Sequence, residues 1–458
     1  MTPDWSALQR AIAGDVLLPD SPAFETVRRP QIARFQDIRP QAVVRCRTAA
    51  DVSETVGFAS RSGLHLAVRS GGHCFAGRSS TTGIVIDVSP MRSVSVRDGI
   101  ATVGAGAKLG DVYDALADHD LTIAAGCGPT VGIAGLVLGG GLGILGRKHG
   151  LTSDQLVGAE VVLADGRIVE CDERRDADLF WALRGAGGGQ FGIVTRLSLR
   201  TLRAPAATSL HLTWPHVHAA ALVEAWQAWA PAAPDELAAS LLLTATGDVE
   251  QPPVVRLFGA MLGSEADTAQ LIGELVARAG AEPASAALVH APYRDTKRHL
   301  AEQGPDELEG EGHGFSKSEF FARPLPPDAI EALVEHFSSR RAPRQARELD
   351  FTPWGGAYNR VPAGATAFVH RDERFLLKHG VEVDAGASPS EREAAREWLA
   401  RSWALVLPWG TGRVYPNFPD PELVGWAGAY HGSNYDRLLR VKASYDPVNV
   451  FRFEQSLG

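Results

Sequence analysis

The pentapeptide Arg69-Ser70-Gly71-Gly72-His73 follows directly after a predicted strand, Leu64–Val68, and is the starting point for interpreting the chain. A glycine pair lets the backbone approach a ligand closely, and successive N–H groups in such a turn can bind a pyrophosphate. Taken alone, the same residues also fit a tight turn that carries a surface histidine. The remainder of the sequence decides between these two interpretations.

Two glycine-rich runs lie further along the chain. The first spans 126–150, reads GCGPTVGIAGLVLGGGLGILGRKHG and holds ten glycines, and the second spans 185–192. Each contains a GxGxxG match, at 141–146 and at 187–192. A Rossmann fingerprint requires a preceding strand, a helix that opens in the motif, and an acidic residue about 20 positions later. The first match follows a loop and the second leads into a predicted strand, so neither predicts a Rossmann fold.

The composition limits the functional classes. The chain has 458 residues, of which 45% are hydrophobic and 22% charged, so a large core can form and global disorder is excluded. A net charge of −9 argues against nucleic acid or an acidic membrane as partner. The four cysteines lack CxxC spacing, and no metal site is predicted. With no apolar stretch of 18 residues and no signal peptide, we expect a soluble, cytoplasmic protein.

The chain divides into three segments by pattern. Residues 1–204 alternate short helices and strands with the glycine runs. They include a predicted helix, Asp51–Ser62, which Thr48 caps and Gly63 ends, and a predicted strand, Ile84–Asp87. Residues 205–410 contain longer predicted helices, at 216–229, 265–279, 328–338 and 390–405, with strands between them, which predicts an antiparallel sheet with helices on one face. Residues 411–458 return to a loop-rich pattern. We therefore expect an α+β fold of two domains, in which the third segment returns to the first domain.

Several blocks together resemble a known family. Beside Arg69–His73 and the run 126–150, the chain carries DLFWALRGAGGGQFGIVT at 178–195, Tyr415-Pro416-Asn417, and YHGSNYDRLLRVKASYDPVNVF at 430–451. In this order they resemble the FAD-linked oxidases of the berberine-bridge-enzyme and glucooligosaccharide-oxidase type, within the vanillyl-alcohol-oxidase superfamily. The resemblance covers nearly the whole chain. It implies a PCMH-type FAD-binding domain and a substrate domain, with the flavin ring exposed in a cleft between them.

The resemblance implies that His73 carries FAD covalently at the 8α-methyl group. A neutral imidazole is a good nucleophile near pH 7, which suits this role. Glycines of the first run are expected to wrap the pyrophosphate, because only glycine permits such close approach of the backbone. The remaining cofactor-binding residues that the resemblance implies are Arg69, Ser70, Gly71, Gly72, Ser79, Cys127, Thr130, Val131, Gly132, Gly135, Gly140, Gly143, Ile193, Asn417 and Asn449.

Many members of the family add a second bond, from a cysteine to flavin C6, within the text Gly-Thr-Cys-Pro-Thr-Val-Gly. Here the block of equal length, 126–132, reads GCGPTVG, so Cys127 stands one position early and Gly128 takes the usual place of the cysteine. A shift of one residue in an extended segment turns a side chain to the opposite side. We therefore predict that Cys127 is a small packed loop residue and that FAD is bonded through His73 alone.

The resemblance also implies acid–base residues. Relatives use the tyrosine of a Tyr-x-Asn motif, which corresponds to Tyr415, and a phenol with a pKa near 10 needs assistance from neighbours at neutral pH. A carboxylate or Gln of plant members corresponds to His379, counted along the strand after 368–371, and an acid of sugar-oxidising relatives corresponds to Asp350. The structural alternatives are a buried tyrosine bonded to backbone for Tyr415 and a plain polar strand residue for His379.

The function that the resemblance implies is that of an FAD-dependent oxidase. It takes a hydride from an alcohol, sugar, amine or natural-product intermediate and passes electrons to O₂, which gives H₂O₂. One alternative is a flavin-dependent enzyme of secondary metabolism that forms a ring or a C–C bond. An alternative of another class is a flavin-binding protein without turnover, which the presence of Tyr415 disfavours. The expected partners are a small-molecule substrate and O₂.

Overall fold

The structure is a computed structural model that describes residues 3–303 and 312–458. Its strands are β1 (Asp15–Leu17), β2 (Ala42–Arg45), β3 (Leu66–Arg69), β4 (Ile84–Asp87), β5 (Val94–Arg97), β6 (Ile100–Gly104), β7 (Leu121–Thr122), β8 (Leu156–Val162), β9 (Ile168–Cys171), β10 (Ile193–Arg200), β11 (Leu202–Arg203), β12 (Ala206–Pro215), β13 (Leu237–Ala245), β14 (Val254–Met261), β15 (Ser285–Pro292), β16 (His313–Phe321), β17 (Gln345–Pro353) and β18 (Phe375–Val383).

Helices connect and cover these strands. They are α1 (Trp5–Ala11), α2 (Phe24–Val27), α3 (Ala49–Arg61), α4 (Leu109–Ala117), α5 (Ile133–Leu138), α6 (Gly146–His149), α7 (Ala177–Leu183), α8 (Ala219–Trp229), α9 (Glu265–Ala279), α10 (Tyr293–Gln303), α11 (Pro327–Ser338), α12 (Ala357–Arg360), α13 (Pro389–Ala404), α14 (Trp426–His431) and α15 (Tyr435–Tyr445). Over the described ranges, none of them is both long and apolar enough to cross a bilayer.

The N-terminal part contains two main sheets. The first has the order β1-β2-β4-β3, in which β2, β4 and β3 are parallel, and the second has the antiparallel order β5-β6-β10-β8-β9. All four residues of β4 are buried, as expected for a parallel strand that is covered on both faces. Helix α3 begins with a capping box in which Thr48 and Asp51 bond to each other's backbone N–H, as the sequence predicts for Thr48.

A seven-stranded antiparallel sheet forms the other part, with the order β15-β12-β14-β13-β17-β18-β16. Alternate residues of its strands face a core formed with α8, α9, α11 and α13, which confirms the predicted antiparallel sheet with helices on one face. Helix α10 lies in addition on the opposite face, where Tyr293 and Leu300 pack with Phe258 and with Ala124 of the N-terminal part. The two parts are therefore joined by a common apolar cluster.

A buried ion pair also joins the two parts. Arg371, in the segment before β18, donates to both carboxylate oxygens of Asp154, with Nη1–Oδ2 at 2.9 Å and Nη2–Oδ1 at 2.7 Å. The two side chains are 1% and 8% exposed. Asp154 also accepts from the backbone N–H of Leu151 at 2.9 Å, so this pair fixes the chain next to the first glycine run.

Candidate functional site

A cavity of about 1340 Å³ lies between the glycine-rich loops and the seven-stranded sheet. On one side it is lined by the segments 70–80, 126–132, 187–189 and 415–418. On the other side it is lined by residues of β13, β14, β17 and β18. Because ligand pockets usually measure about 300–1,000 Å³, this cavity has room for a large ligand together with a smaller one.

The turn after β3 brings His73 to this cavity. Residues 70–73 all line it, beyond the carboxyl end of a parallel strand, where ligands of such sheets usually bind. A Cβ atom added to Gly71 would collide with the backbone nitrogen of Gly132, so the turn and the first glycine run cross without room for a side chain. The two loops that the sequence assigns to one ligand are therefore in direct contact.

Arg69 serves the structure of the turn and does not line the cavity. Its buried guanidinium donates to the carbonyl oxygens of Ser79 at 3.1 Å and Val27 at 2.8 Å. Ser70 does line the cavity, but its hydroxyl donates to the carbonyl oxygen of Ala105 at 2.7 Å. The expectation that Arg69 contacts the cofactor is therefore corrected: its side chain holds the turn in place.

Most of the other residues expected to bind the cofactor line the cavity. They are Ser79, Cys127, Thr130, Val131, Gly132, Gly135, Gly143, Ile193 and Asn417. Gly140 and Asn449 are not part of the lining. Gly140 has a φ of +115°, and a Cβ atom there would lie 3.0 Å from the ring of Phe368, so this glycine is required for packing. Asn449 lies in the C-terminal segment with a φ of +51°.

The bare backbone at helix α5 and at the loop 187–189 fits a long, flat ligand with a pyrophosphate. Gly135 and Gly187 line the cavity, and a Cβ atom added to either would meet nothing within 4 Å. The helix and the loop thus leave open space beside the main chain, into which a side chain would project. This arrangement fits FAD. The loop 187–189 was not among the predicted cofactor residues, although the second glycine run was the signal for it.

Tyr415 is buried at the cavity, and its hydroxyl oxygen is surrounded by donors. The backbone N–H groups of Gly141 at 2.9 Å and Leu142 at 3.1 Å and the amide Nδ2 of Asn417 at 3.1 Å all donate to Oη. The same Nδ2 donates to the carbonyl of Leu136 at 2.9 Å. Burial raises the pKa of Tyr415 to about 12, and the three donors act in the opposite direction. They are arranged to stabilise a phenolate.

Asp350 faces the same cavity beside a lysine. Lys378 stands directly opposite on β18, and its Nζ lies 3.0 Å from Oε1 of Glu348. The hydroxyl of Thr352 donates to Oδ1 of Asp350 at 3.1 Å. Burial raises the pKa of Asp350 to about 6, with Glu348 raising it further and Lys378 lowering it. A carboxyl group that titrates near neutral pH is able to exchange a proton under physiological conditions.

His379 does not reach the cavity, which corrects its prediction as a catalytic residue. Its imidazole is fully buried on the helix-covered face of β18, with Nδ1 2.9 Å from the hydroxyl of Ser402. Burial lowers the pKa of His379 to about 3. Because neighbouring residues of a strand face opposite sides, the adjacent Lys378 is the residue that lines the cavity. The position counted from the sequence was one residue away from the cavity-facing side chain.

Cys127 borders the cavity and contacts a buried lysine. Nζ of Lys297, on α10, lies 3.7 Å from Sγ of Cys127 and donates to the carbonyl oxygens of Ala125 at 3.1 Å and Gly126 at 2.6 Å. The thiol also packs with the apolar cluster that joins the two parts of the chain. The adjacent residue, Gly128, has no side chain that could bond to a ligand in the cavity. These contacts support the predicted role of Cys127 as a packed loop residue.

We predict one covalent bond to the cofactor, at His73. Peptide mapping of the denatured protein by mass spectrometry is expected to find flavin on the His73 peptide and none on the Cys127 peptide, because Cys127 is held against Lys297. Exchanging the two residues by Cys127→Gly with Gly128→Cys moves the thiol to the next position and is expected to add a second flavin-bearing peptide. Flavin on both peptides of the wild-type protein would contradict this prediction.

Comparison with known proteins gives a consistent result. Residues 40–172 match the family model described as FAD binding domain, and residues 414–458 match the one described as berberine and berberine like. An uncharacterised FAD-linked oxidoreductase of Bacillus subtilis is 31% identical over 461 residues, which cover 97% of each chain. Chitooligosaccharide oxidase of Gibberella zeae is 31% identical over 438 residues, which cover 91% of this chain and 87% of that protein.

A solved structure is similar over the whole length. Glucooligosaccharide oxidase from Acremonium strictum superposes with a TM-score of 0.88 at 26% identity, and the match covers 99% of this chain and 98% of that chain. That protein carries a 6-S-cysteinyl, 8α-N1-histidyl FAD. The α+β fold with a PCMH-type FAD-binding domain, predicted from the sequence, is thereby confirmed.

Proposed function

Because this chain belongs to the berberine-bridge-enzyme-like family of FAD-linked oxidoreductases, we propose that its substrate is a polar, hydroxylated small molecule, and specifically an oligosaccharide. The chain is an FAD-dependent oxidase, as are the relatives to which it is similar. Its partners are accordingly a small-molecule substrate and O₂. We also propose a cytoplasmic location for the protein.

The observation that supports this substrate class is the polarity of the cavity wall on the seven-stranded sheet. Hydroxyl groups of Ser240, Thr244 and Thr352 face the cavity together with the charged groups of Asp350 and Lys378. A polyol can add hydrogen bonds to these groups, whereas an apolar polycyclic substrate would cover them without adding any. Two of the similar proteins, named above, are oxidases of oligosaccharides by name.

Tyr415 accepts the proton of the substrate's reacting hydroxyl group in this proposal. Its Oη is surrounded by three N–H donors, which compensate negative charge at that oxygen as the proton moves. Asp350, once ionised, accepts a hydrogen bond from the substrate and orients it. The turn 70–73 and the first glycine run would hold FAD, with His73 as the covalent anchor. Bound FAD supplies the hydride acceptor for the substrate carbon, and O₂ accepts the electrons to give H₂O₂.

Aerobic turnover with a panel of substrates tests the proposed class. The panel contains neutral oligosaccharides, simple primary alcohols, amines and aromatic polycyclic alcohols, and peroxide formation is measured. We expect the highest kcat/KM with an oligosaccharide. Peroxide formation from amines or polycyclic alcohols, with none from any oligosaccharide, would contradict the proposal and leave the assignment as an FAD-dependent oxidase intact.

The rate of flavin reduction is expected to rise with pH through about 6. The pKa of Asp350 is raised to about 6, so this carboxyl group is neutral below that pH and becomes charged above it. Asp350→Asn is expected to abolish this rise with pH. It is also expected to slow flavin reduction at pH 7.5 by about 10-fold or more, the usual loss for a hydrogen bond to a charged group. The measurement is anaerobic flavin reduction as a function of pH.

A second variant tests the direction of this effect. Glu348 raises the pKa of Asp350, so Glu348→Gln is expected to move the step to lower pH without abolishing it. Flavin content and the visible spectrum of both variants serve as controls for folding. A step near pH 6 that persists in Asp350→Asn would assign this titration to another group.

A further inference from the structure

The cationic side chains of the cavity differ in one respect. Those that line it are Arg78, Arg147, Arg256, Arg347, Lys378 and Arg452. Five of them have partners for their charged groups. Arg78 donates to Gln455, Arg147 to carbonyl groups of 230–233 and Arg347 to carbonyl groups of 337–340. Lys378 pairs with Glu348, and Arg452 donates to the carbonyl group of 449. Arg256 is the exception.

Arg256 points into the cavity without a partner among residues 3–303 and 312–458. No ion pair or hydrogen bond to its guanidinium is found there, and its Nε is shielded from solvent without an acceptor. A shielded donor of this kind costs free energy unless a ligand or water accepts from it. Burial, and after it the positive charge of Arg256, lowers the pKa of His211, so the guanidinium lies close to this imidazole on β12.

The sheet register places Arg256 in one row with Asp350, the residue proposed to orient the substrate. Arg256 on β14 is opposite Leu242 on β13, Leu242 is opposite Asp350 on β17, and Asp350 is opposite Lys378 on β18. All four residues line the cavity. Since neighbouring strands are about 4.8 Å apart, the Cα atoms of Arg256 and Asp350 are separated by about 10 Å. This separation matches the length of a disaccharide.

We infer that Arg256 binds an anionic group of the substrate, a carboxylate or a phosphate, at the end of the molecule remote from the reacting hydroxyl group. The planar guanidinium presents parallel N–H donors that match the oxygens of either anion. The inference rests on the proposed function, because it places the reacting hydroxyl group at Asp350 and Tyr415. It adds that a charged sugar is preferred over a neutral one of the same size.

Three matched disaccharides test this inference by binding to the intact flavoprotein. Cellobiose, cellobiouronate and cellobiose 6′-phosphate differ only at C6 of the non-reducing ring. Anaerobic calorimetric titration of the wild-type protein, with its flavin already reduced so that no sugar is oxidised, is expected to give a Kd that is about 10-fold lower or better for one of the anionic sugars than for cellobiose. Whichever anion binds more tightly identifies the group as carboxylate or phosphate. Equal affinities, or no tighter binding of either anion, would overturn the inference.

Variants of Arg256 separate its effect from the overall charge of the protein. The preference for the anion is the Kd of cellobiose divided by the Kd of the anionic sugar. Arg256→Gln is expected to reduce this ratio to about one, and Arg256→Lys is expected to retain part of the preference. Arg200→Gln, at an exposed position in another sheet, makes the same change in net charge and is expected to keep the full preference. An unchanged preference in Arg256→Gln, with normal flavin content, would overturn the assignment.

Turnover of the same sugars keeps this inference distinct from the proposed function. Peroxide formation from cellobiose without any preference for the anions would contradict the role of Arg256 alone. Tight binding of an anionic sugar without peroxide formation from any of the three would support the role of Arg256 and contradict the proposed substrate class.

Discussion

Replacing Tyr415 by phenylalanine is expected to slow flavin reduction by about 10²–10⁴-fold, which is the usual contribution of a positioned acid or base. The hydroxyl oxygen is the atom on which three N–H donors converge, so its removal deletes the proposed proton acceptor. The ring itself packs against Trp354 and Phe368 and is retained in the variant, so flavin content should hardly change. Anaerobic stopped-flow reduction with any accepted substrate measures the effect.

Tyr430→Phe is the matched control for this experiment. Tyr430 is also buried, its hydroxyl accepts a backbone N–H from Asp420 at 2.8 Å, and burial likewise raises its pKa to about 12. It is not among the residues that line the cavity. We expect Tyr430→Phe to reduce at nearly the wild-type rate. Comparable losses in both variants would mean that the hydroxyl of Tyr415 is structural, and Asp350 would then be the first candidate for the proton acceptor.

His73→Ala is expected to eliminate covalently held flavin. The wild-type protein should give a yellow pellet after acid precipitation, whereas the variant should release all of its flavin into the supernatant. The variant is expected to fold and to bind FAD more weakly, because the backbone of residues 70–73 and of the glycine loops still forms the cavity. Absorbance of pellet and supernatant near the flavin maximum gives the two fractions.

Cys74→Ser controls for disturbance of the same turn. Cys74 is next to His73 and also lines the cavity, and its replacement is expected to leave the covalent bond intact. A yellow pellet from His73→Ala would show that another residue is bonded to the flavin, with Cys127 as the first candidate. Release of flavin from both variants would indicate that the conformation of the turn, and not the imidazole, determines attachment.

The parts of the fold that were predictable from the sequence are those specified by local patterns. Strand β4 is the apolar run Ile84–Ile86 followed by Asp87, and helix α3 has its capping residue Thr48 and a glycine at its end, so both were identified nearly to the residue. The role of Tyr415 as the base and the place of Asn417 at the cofactor came from the family resemblance, and the structure adds that both side chains contact the first glycine run.

Other features depend on contacts between distant segments. Helix α10 was missed because its buried face includes Lys297, a residue that normally indicates an exposed position. The charge of Lys297 is accommodated by carbonyl groups about 170 residues away in the chain, which no local pattern reveals. The choice between Lys378 and His379 required the register of β18, because a displacement of one residue exchanges the two faces of a strand.

The ion pair between Arg371 and Asp154 has a consequence for the order in which the holoenzyme assembles. Separating these two charges inside the protein would leave each without its partner, at a cost of about 3–5 kcal/mol. The two parts of the chain are therefore locked together once this pair has formed, with His73 inside the cavity that they enclose. We therefore expect the FAD cavity to be complete only when the two parts of the chain have docked, so that tight binding of FAD and formation of this ion pair accompany each other.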